Sequence, residues 1–254
     1  MIEQNSRLAH HRFVVSRWLC LLVLVAGLPW LWLPSQRAQA QSGRPAVHVF
    51  LQLGVKSSAL ERELQARLPG LEVTVFGRFR DFHDAVNAGR PDAIACITPV
   101  LESLGKKPLL QGTRKGTGTE AYVLASVGKP LAGSLAGKTI GVVDLLDREG
   151  TQTFATGLLK TTDVKIKRVA KIEDLLPLLE FSAADGVLIS TSLLAKFTER
   201  TRLPVKTREL PGTQVGLPAV AVLDPSVRDV VLGAFKNLDG RTKKLLGIDD
   251  WSTP

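Results

Sequence analysis

The sequence predicts an α/β protein of two similar halves, each a mostly parallel sheet flanked by helices, joined by crossing strands. Three observations predict it. From residue 46 onward, short apolar runs alternate with segments of helical period, the pattern of successive βα units. The alternation breaks once, at the Gly- and Lys-rich stretch Lys106–Gly118, and then restarts. Finally, 254 residues with 44% hydrophobic and 22% charged side chains suffice for buried cores without a covalent staple.

Residues 1–40 stand outside this pattern. Arg7, His10, His11, Arg12 and Arg17 lead into the apolar run Trp18–Leu33, and Ala38-Gln39-Ala40 places small residues where signal peptidase reads. An export signal cleaved after Ala40 is expected. An uncleaved anchor is the alternative, because the run approaches the ~17 residues of a short spanning helix. Cleavage removes four arginines and one glutamate, lowering the net charge from +9 to +6. Cys20 lies too early in the run, after Arg17-Trp18-Leu19, to be a lipid-attachment site. Once it is removed, Cys96 remains in the apolar Ala93-Ile94-Ala95-Cys96-Ile97, so no internal disulfide can form. A small buried hydrophobe is the simplest reading of Cys96.

The elements follow in order. Val47–Leu53 is a strand. Ser57–Leu68 is a helix with Leu60, Leu64 and Leu68 on one face, capped by Ser57 or Ser58 and ended by Pro69-Gly70. Leu71–Phe76 is a second strand, Asp81–Ala88 a helix closed by Gly89, and Asp92–Thr98 a third strand. After the break, Glu120–Val127 is strand-like and crosses to the other half. There Thr139–Asp144, Val164–Val169 and Gly186–Ile189 are strands, and Gln152–Leu159, Ile172–Phe181 and Leu193–Arg200 are helices. Val205–Leu210 and Pro218–Leu223 are extended, with Pro211-Gly212 and Gly216 between them. Ser226–Leu238 and Arg241–Leu246 are helical and have room to return to the first half.

Three segments carry a resemblance. Phe82-His83-Asp84-Ala85-Val86-Asn87-Ala88-Gly89-Arg90-Pro91-Asp92-Ala93, then Leu135-Ala136-Gly137-Lys138-Thr139-Ile140-Gly141-Val142, and finally Leu245-Leu246-Gly247-Ile248-Asp249-Asp250-Trp251 occur in this order. In order and spacing they resemble the phosphate/phosphite/phosphonate group of ABC-transporter substrate-binding proteins, within the type II periplasmic binding proteins. The resemblance spans residues 46 to 251. It implies a periplasmic monomer without a cofactor that closes two lobes on a small anionic solute and delivers it to a membrane permease. It also implies a division into residues 41–118 plus 211–254 as one lobe and 119–210 as the other.

Polar contacts in such a receptor come from loops at the carboxyl ends of parallel strands and from helix N-termini, where free N–H groups and the helix dipole favour anions. Gly150-Thr151-Gln152-Thr153, after Asp144, is the leading candidate and by resemblance corresponds to a Ser/Thr-rich anion cradle. Gln152 stands where the family has a small hydroxyl residue. Asp147 and Glu149 lie close by and disfavour a doubly charged oxyanion. Thr151 would equally serve as a plain helix cap. Other strand ends offer Lys56, Ser57 and Ser58, then Thr98, then Ser190, Thr191 and Ser192, each with a solvated or capping alternative. Tyr122, the sole tyrosine, falls on the crossing strand facing the cleft, where strand packing is the alternative.

Other functions find less support. Basic residues cluster at Lys106, Lys107, Arg114 and Lys115 and at Lys165, Lys167, Arg168 and Lys171, but aromatic residues for base stacking are nearly absent beside them, so no nucleic-acid partner is expected. A nucleophile elbow, a P-loop and a metal-binding His cluster are missing from the sequence, which favours binding over catalysis. A sensory or adaptor protein of the same fold, or an enzyme built on scattered carboxylates such as Asp144 and Asp147, are the alternatives.

Overall fold

The computed structural model describes residues 43–254; the expected export signal, its cleavage after Ala40 and Cys20 lie outside the described residues. Two mixed sheets organise the chain. The first begins with three parallel strands, β1 (Ala46–Phe50), β2 (Glu72–Phe76) and β3 (Ala93–Ile97), with β1 in the middle. Between them run α1 (Ser57–Arg67) and α2 (Phe79–Gly89). Helix α1 buries Leu60 and Leu64 on one side of the sheet, while α2 buries Phe79, Phe82 and Val86 on the other. Spacings of three and four residues place these side chains on one helical face.

The third strand is followed by a short helix that the sequence reading did not expect, α3 (Thr98–Ser103), with Pro99 in its first turn, where a missing N–H costs nothing. Next come β4 (Leu110–Thr113) and β5 (Thr119–Val127). Arg114, Lys115, Gly116 and Thr117 join them as a tight hairpin turn: Arg114 and Thr117 exchange backbone bonds of 2.8 and 3.0 Å, and Lys115 and Gly116 have φ of 51° and 78°. Two successive positive φ values define the turn whose twist matches a hairpin. The Gly- and Lys-rich break is therefore a turn at which the chain leaves one sheet for the other.

The second sheet repeats the first. Strands β6 (Thr139–Val143), β7 (Lys165–Val169) and β8 (Gly186–Ser190) are parallel with β6 in the middle. They are linked by α4 (Asp147–Leu159) and by a one-turn 3₁₀ helix (Ile172–Asp174) running into α5 (Leu175–Glu180). Beyond α6 (Thr191–Glu199), β9 (Val205–Gly216) lies along β5, and β10 (Pro218–Val222) returns to the first sheet. Helices α7 (Arg228–Lys236) and α8 (Gly240–Leu245) and the short strand β11 (Asp250–Ser252) finish the first lobe. The strand orders are β11-β4-β10-β3-β1-β2 and β7-β6-β8-β5-β9. The expected two-lobe α/β architecture is present. Its sheets are mixed, because each crossing adds an antiparallel strand beside the third parallel one: β10 on β3 and β5 on β8.

Strand β9 is longer than Val205–Leu210 because Pro211-Gly212 does not end it. The pairing with β5 shifts between Ala121 and Val123, so Leu210–Thr213 bulges out opposite Tyr122. An edge strand tolerates a proline at such a bulge. Of the three apolar clusters among the described residues, one underlies α1, α7 and α8, and another lies beneath α4. The third runs without a break from Phe50, Phe82 and Ile94 of the first lobe to Val143, Leu175 and Val187 of the second. Among the described residues no helix is long and apolar enough to cross a membrane.

Candidate ligand-binding site

The carboxyl ends of the parallel strands β1, β6 and β8 face one another across the seam and enclose a cavity of ≈ 60 Å³. Its walls are chiefly apolar: Phe50, Leu53 and Ile97 from the first lobe, and Val143, Leu145, Phe154, Ile172 and Leu175 from the second. Tyr122 and Phe154 meet edge to face with ring centroids 5.8 Å apart, a favourable aromatic arrangement. Burial holds the Tyr122 phenol well above its ordinary pKa, and the neighbouring Glu120 carboxylate adds to the effect.

One ion pair stands in this apolar setting. Arg114 ends the first-sheet passage at the β4–β5 turn, and Glu120 is the second residue of β5. Arg114 Nη1 lies 3.2 Å from Glu120 Oε2, and its Nη2 donates to the Gly247 carbonyl. The same Glu120 oxygen accepts the Ser192 N–H at 3.3 Å in the first turn of α6. The pair therefore links the first lobe to a helix start of the second. Both side chains line the cavity and keep partial exposure, 24% for Arg114 and 17% for Glu120. Ser190 and Ser192 also line it, their hydroxyl oxygens 3.1 Å apart.

The residues singled out from the sequence are distributed as follows. Tyr122 and Ser190 line the cavity. Thr151 is fully buried outside it: its hydroxyl accepts the N–H groups of Leu145 (3.1 Å) and Leu146 (3.0 Å) and donates to Asp144 Oδ1 (2.8 Å). Asp144 in turn pairs with Arg168 at 2.8 Å. Helix α4 starts at Asp147, so Thr151 is its fifth residue rather than its opening. The Asp147 carboxylate accepts the Gly150 N–H at 2.8 Å, and the acidic first turn suits the helix dipole. Gln152 and Thr153 are exposed and border an open hollow with Arg148, Lys167 and Arg168, on walls the inter-lobe cavity does not share.

Thr98 donates to Gln111 Oε1 (2.9 Å) and the Leu217 carbonyl (3.2 Å), tying α3 to the point where the chain returns. Ser57 is half-buried in the first turn of α1, and Lys56 and Thr191 are exposed. None of these is a wall of the cavity. Arg114 and Glu120 were not singled out from the sequence as site residues. The signal available was a Lys-Gly pair between two β-like runs, which marks a two-residue turn and so places Arg114 beside the start of the next strand.

No family model matches the sequence, and a search of curated proteins finds no match. Solved structures do match. A chloride-bound protein from Xanthomonas citri is 15% identical with a TM-score of 0.60, over 82% of this chain and 91% of its own. The substrate-binding protein of an amino acid ABC transporter is 19% identical with a TM-score of 0.56, over 79% of this chain and 97% of its own. The GluR0 ligand-binding core from Nostoc punctiforme, in complex with L-glutamate, is 15% identical with a TM-score of 0.55, over 80% and 96%. With two mixed sheets of repeated strand order, a double crossing between them and these likenesses along most of its length, the chain adopts the two-lobe α/β fold of the type II periplasmic binding proteins.

Proposed function

We propose that this chain is an exported solute receptor that closes its lobes on a small amphipathic zwitterion and delivers it to a transporter in the membrane. The observation that carries the reading is the Arg114–Glu120 pair at 3.2 Å inside an apolar inter-lobe cavity. A carboxylate on the solute would take the Arg114 guanidinium, an ammonium would take Glu120, and the apolar body would rest on Tyr122 and Phe154. One internal ion pair is thereby exchanged for two. In a water-poor site an unpaired charge is costly, so a solute carrying both charges satisfies the cleft better than a simple anion.

The export segment read at residues 1–40 supports a periplasmic location. The likeness to an amino acid ABC transporter's binding protein and to a glutamate-bound core supports an amino-acid-like solute. A phosphonate could use the same guanidinium, but Glu120 beside it disfavours a doubly charged head group. The cavity of ≈ 60 Å³ is well below the ~300–1,000 Å³ of ordinary ligand pockets. Admission therefore requires the lobes to part, turning about the two passages that join them, Arg114–Gly118 and Leu217. The chemistry of the site is binding, and no step of catalysis is assigned to it.

The test is a melting-temperature screen of the purified protein against alanine, norleucine, glutamate, phosphate, methylphosphonate and sulfate, followed by calorimetry. Zwitterions should raise the melting temperature by linkage. Arg114→Ala should weaken their binding about tenfold, since a hydrogen bond to a charged group is worth about 1.5–3 kcal/mol and the pair keeps partial exposure. A rise with methylphosphonate or phosphate and none with the amino acids would replace this reading by the phosphonate-type receptor. No rise with any solute would remove the cleft as a solute site.

A further inference from the structure

The inter-lobe cavity has a larger neighbour. A second hollow, of ≈ 120 Å³, lies beside it, and Ile172 and Leu193 line both. Those two side chains form the partition. Beyond the walls it shares, the hollow is lined by Leu176, Phe197 and Glu173, with the backbone of Gly54 completing it from the first lobe. Lys196 and Arg200 also border this hollow, but their charged ends are engaged across the seam. Lys196 Nζ donates to the Leu53 carbonyl at 3.2 Å, and Arg200 Nη2 donates to the Gly54 carbonyl at 2.8 Å. Arg200 Nη1 also lies 3.7 Å from Glu173. What remains facing the hollow is chiefly hydrocarbon, including the Lys196 stem, whose Cδ would lie 3.9 Å from a Cβ at position 54.

We propose that the two hollows are one site divided by movable side chains. The charged end of the solute is held at Arg114 and Glu120, and its apolar chain passes between Ile172 and Leu193 to end against Leu176 and Phe197. The receptor would then select zwitterions with a long, unbranched apolar side chain, because a passage made by the turning of two side chains admits a linear chain before a branched one. The proposal rests on the zwitterion reading of the cleft. Its physical basis is that an apolar hollow left unfilled forfeits dispersion contacts on every wall, so filling it is the largest gain available to a solute already bound by its charges.

The experiment is calorimetry on the full protein with alanine, norvaline, norleucine and 2-aminooctanoate. Affinity should climb about fourfold per added methylene until the second hollow is full. Leu176→Trp, which places a bulky ring in that hollow, should flatten the series so that norleucine and alanine bind alike. If the tryptophan variant fails to fold, Leu176→Phe makes a smaller intrusion at the same half-buried position and should reduce the slope. Alanine binding as tightly as norleucine, or a slope unchanged in the folded variant, overturns the two-chamber site and leaves the zwitterion reading standing. Binding of none of the four overturns both. Tighter binding of 2-aminoadipate than of norleucine would show that Lys196 and Arg200 read a second acid, which also overturns an apolar chamber.

Discussion

Thr151 shows how a single hydroxyl can look like a ligand donor and serve the chain instead. Read along the sequence, it follows a strand and a glycine, where an anion cradle would lie. In the fold its oxygen accepts two backbone N–H groups, from Leu145 and Leu146, and its proton goes to Asp144. These bonds close the turn from β6 into α4, and a valine of similar shape cannot replace them. Thr151→Val should cost about 1–3 kcal/mol for the donors left unsatisfied and should leave solute affinity unchanged in the folded fraction. Urea unfolding with calorimetry on the same preparation checks both halves, and intact stability with lost affinity would return Thr151 to the site. The reverse case is Arg114, which composition shows only as one member of a basic cluster. Its partners, Glu120 and the carbonyl of Gly247, are brought to it by a turn and by the far end of the chain, and the second of these lies 133 residues away.

At the scale of elements, the helices and parallel strands were legible because their signals are local. Leu60 and Leu64 mark the buried face of α1, and the run from Ala93 to Ile97 marks a strand covered on both sides. The short elements were not. Helix α3, strand β11 and the continuation of β9 past Pro211 are held by neighbours distant in sequence: Thr98 to Leu217, Trp251 beside Gly112, and the bulge opposite Tyr122. Strand β4 shows the tightness of such neighbours. A Cβ at Gly112 would lie 2.5 Å from the Ile248 side chain and 2.7 Å from the Pro218 carbonyl oxygen, and a backbone carbonyl cannot swing aside. Gly112→Ala should therefore destabilise the first lobe by about 1–3 kcal/mol, the usual cost of overpacking. A denaturation midpoint equal to that of the parent protein would show that β4 has room this geometry denies.

At the scale of the molecule, the lobes are held together by contacts that belong to neither alone. The cluster from Phe50 to Val187 crosses the seam, and the bonds from Lys196 and Arg200 on α6 and its end to the Leu53 and Gly54 carbonyls fasten its edge. The double variant Lys196→Ala/Arg200→Ala should shift the solute-free protein toward an open form, seen as a larger radius of gyration in small-angle scattering. An unchanged radius would mean that the apolar contact alone keeps the lobes shut. What the sequence by itself determined is the α/β class and the division into two similar halves. Apolar periodicity, glycine and proline act over a few residues and are written in order along the chain. What only the tertiary structure decided is which polar groups face the cleft. Thr151 was withdrawn into the backbone of its own loop, and Arg114 and Glu120 were paired across a turn and placed among apolar walls contributed by both lobes. A side chain's function depends on its partners and its exposure, and both are properties of the closed fold.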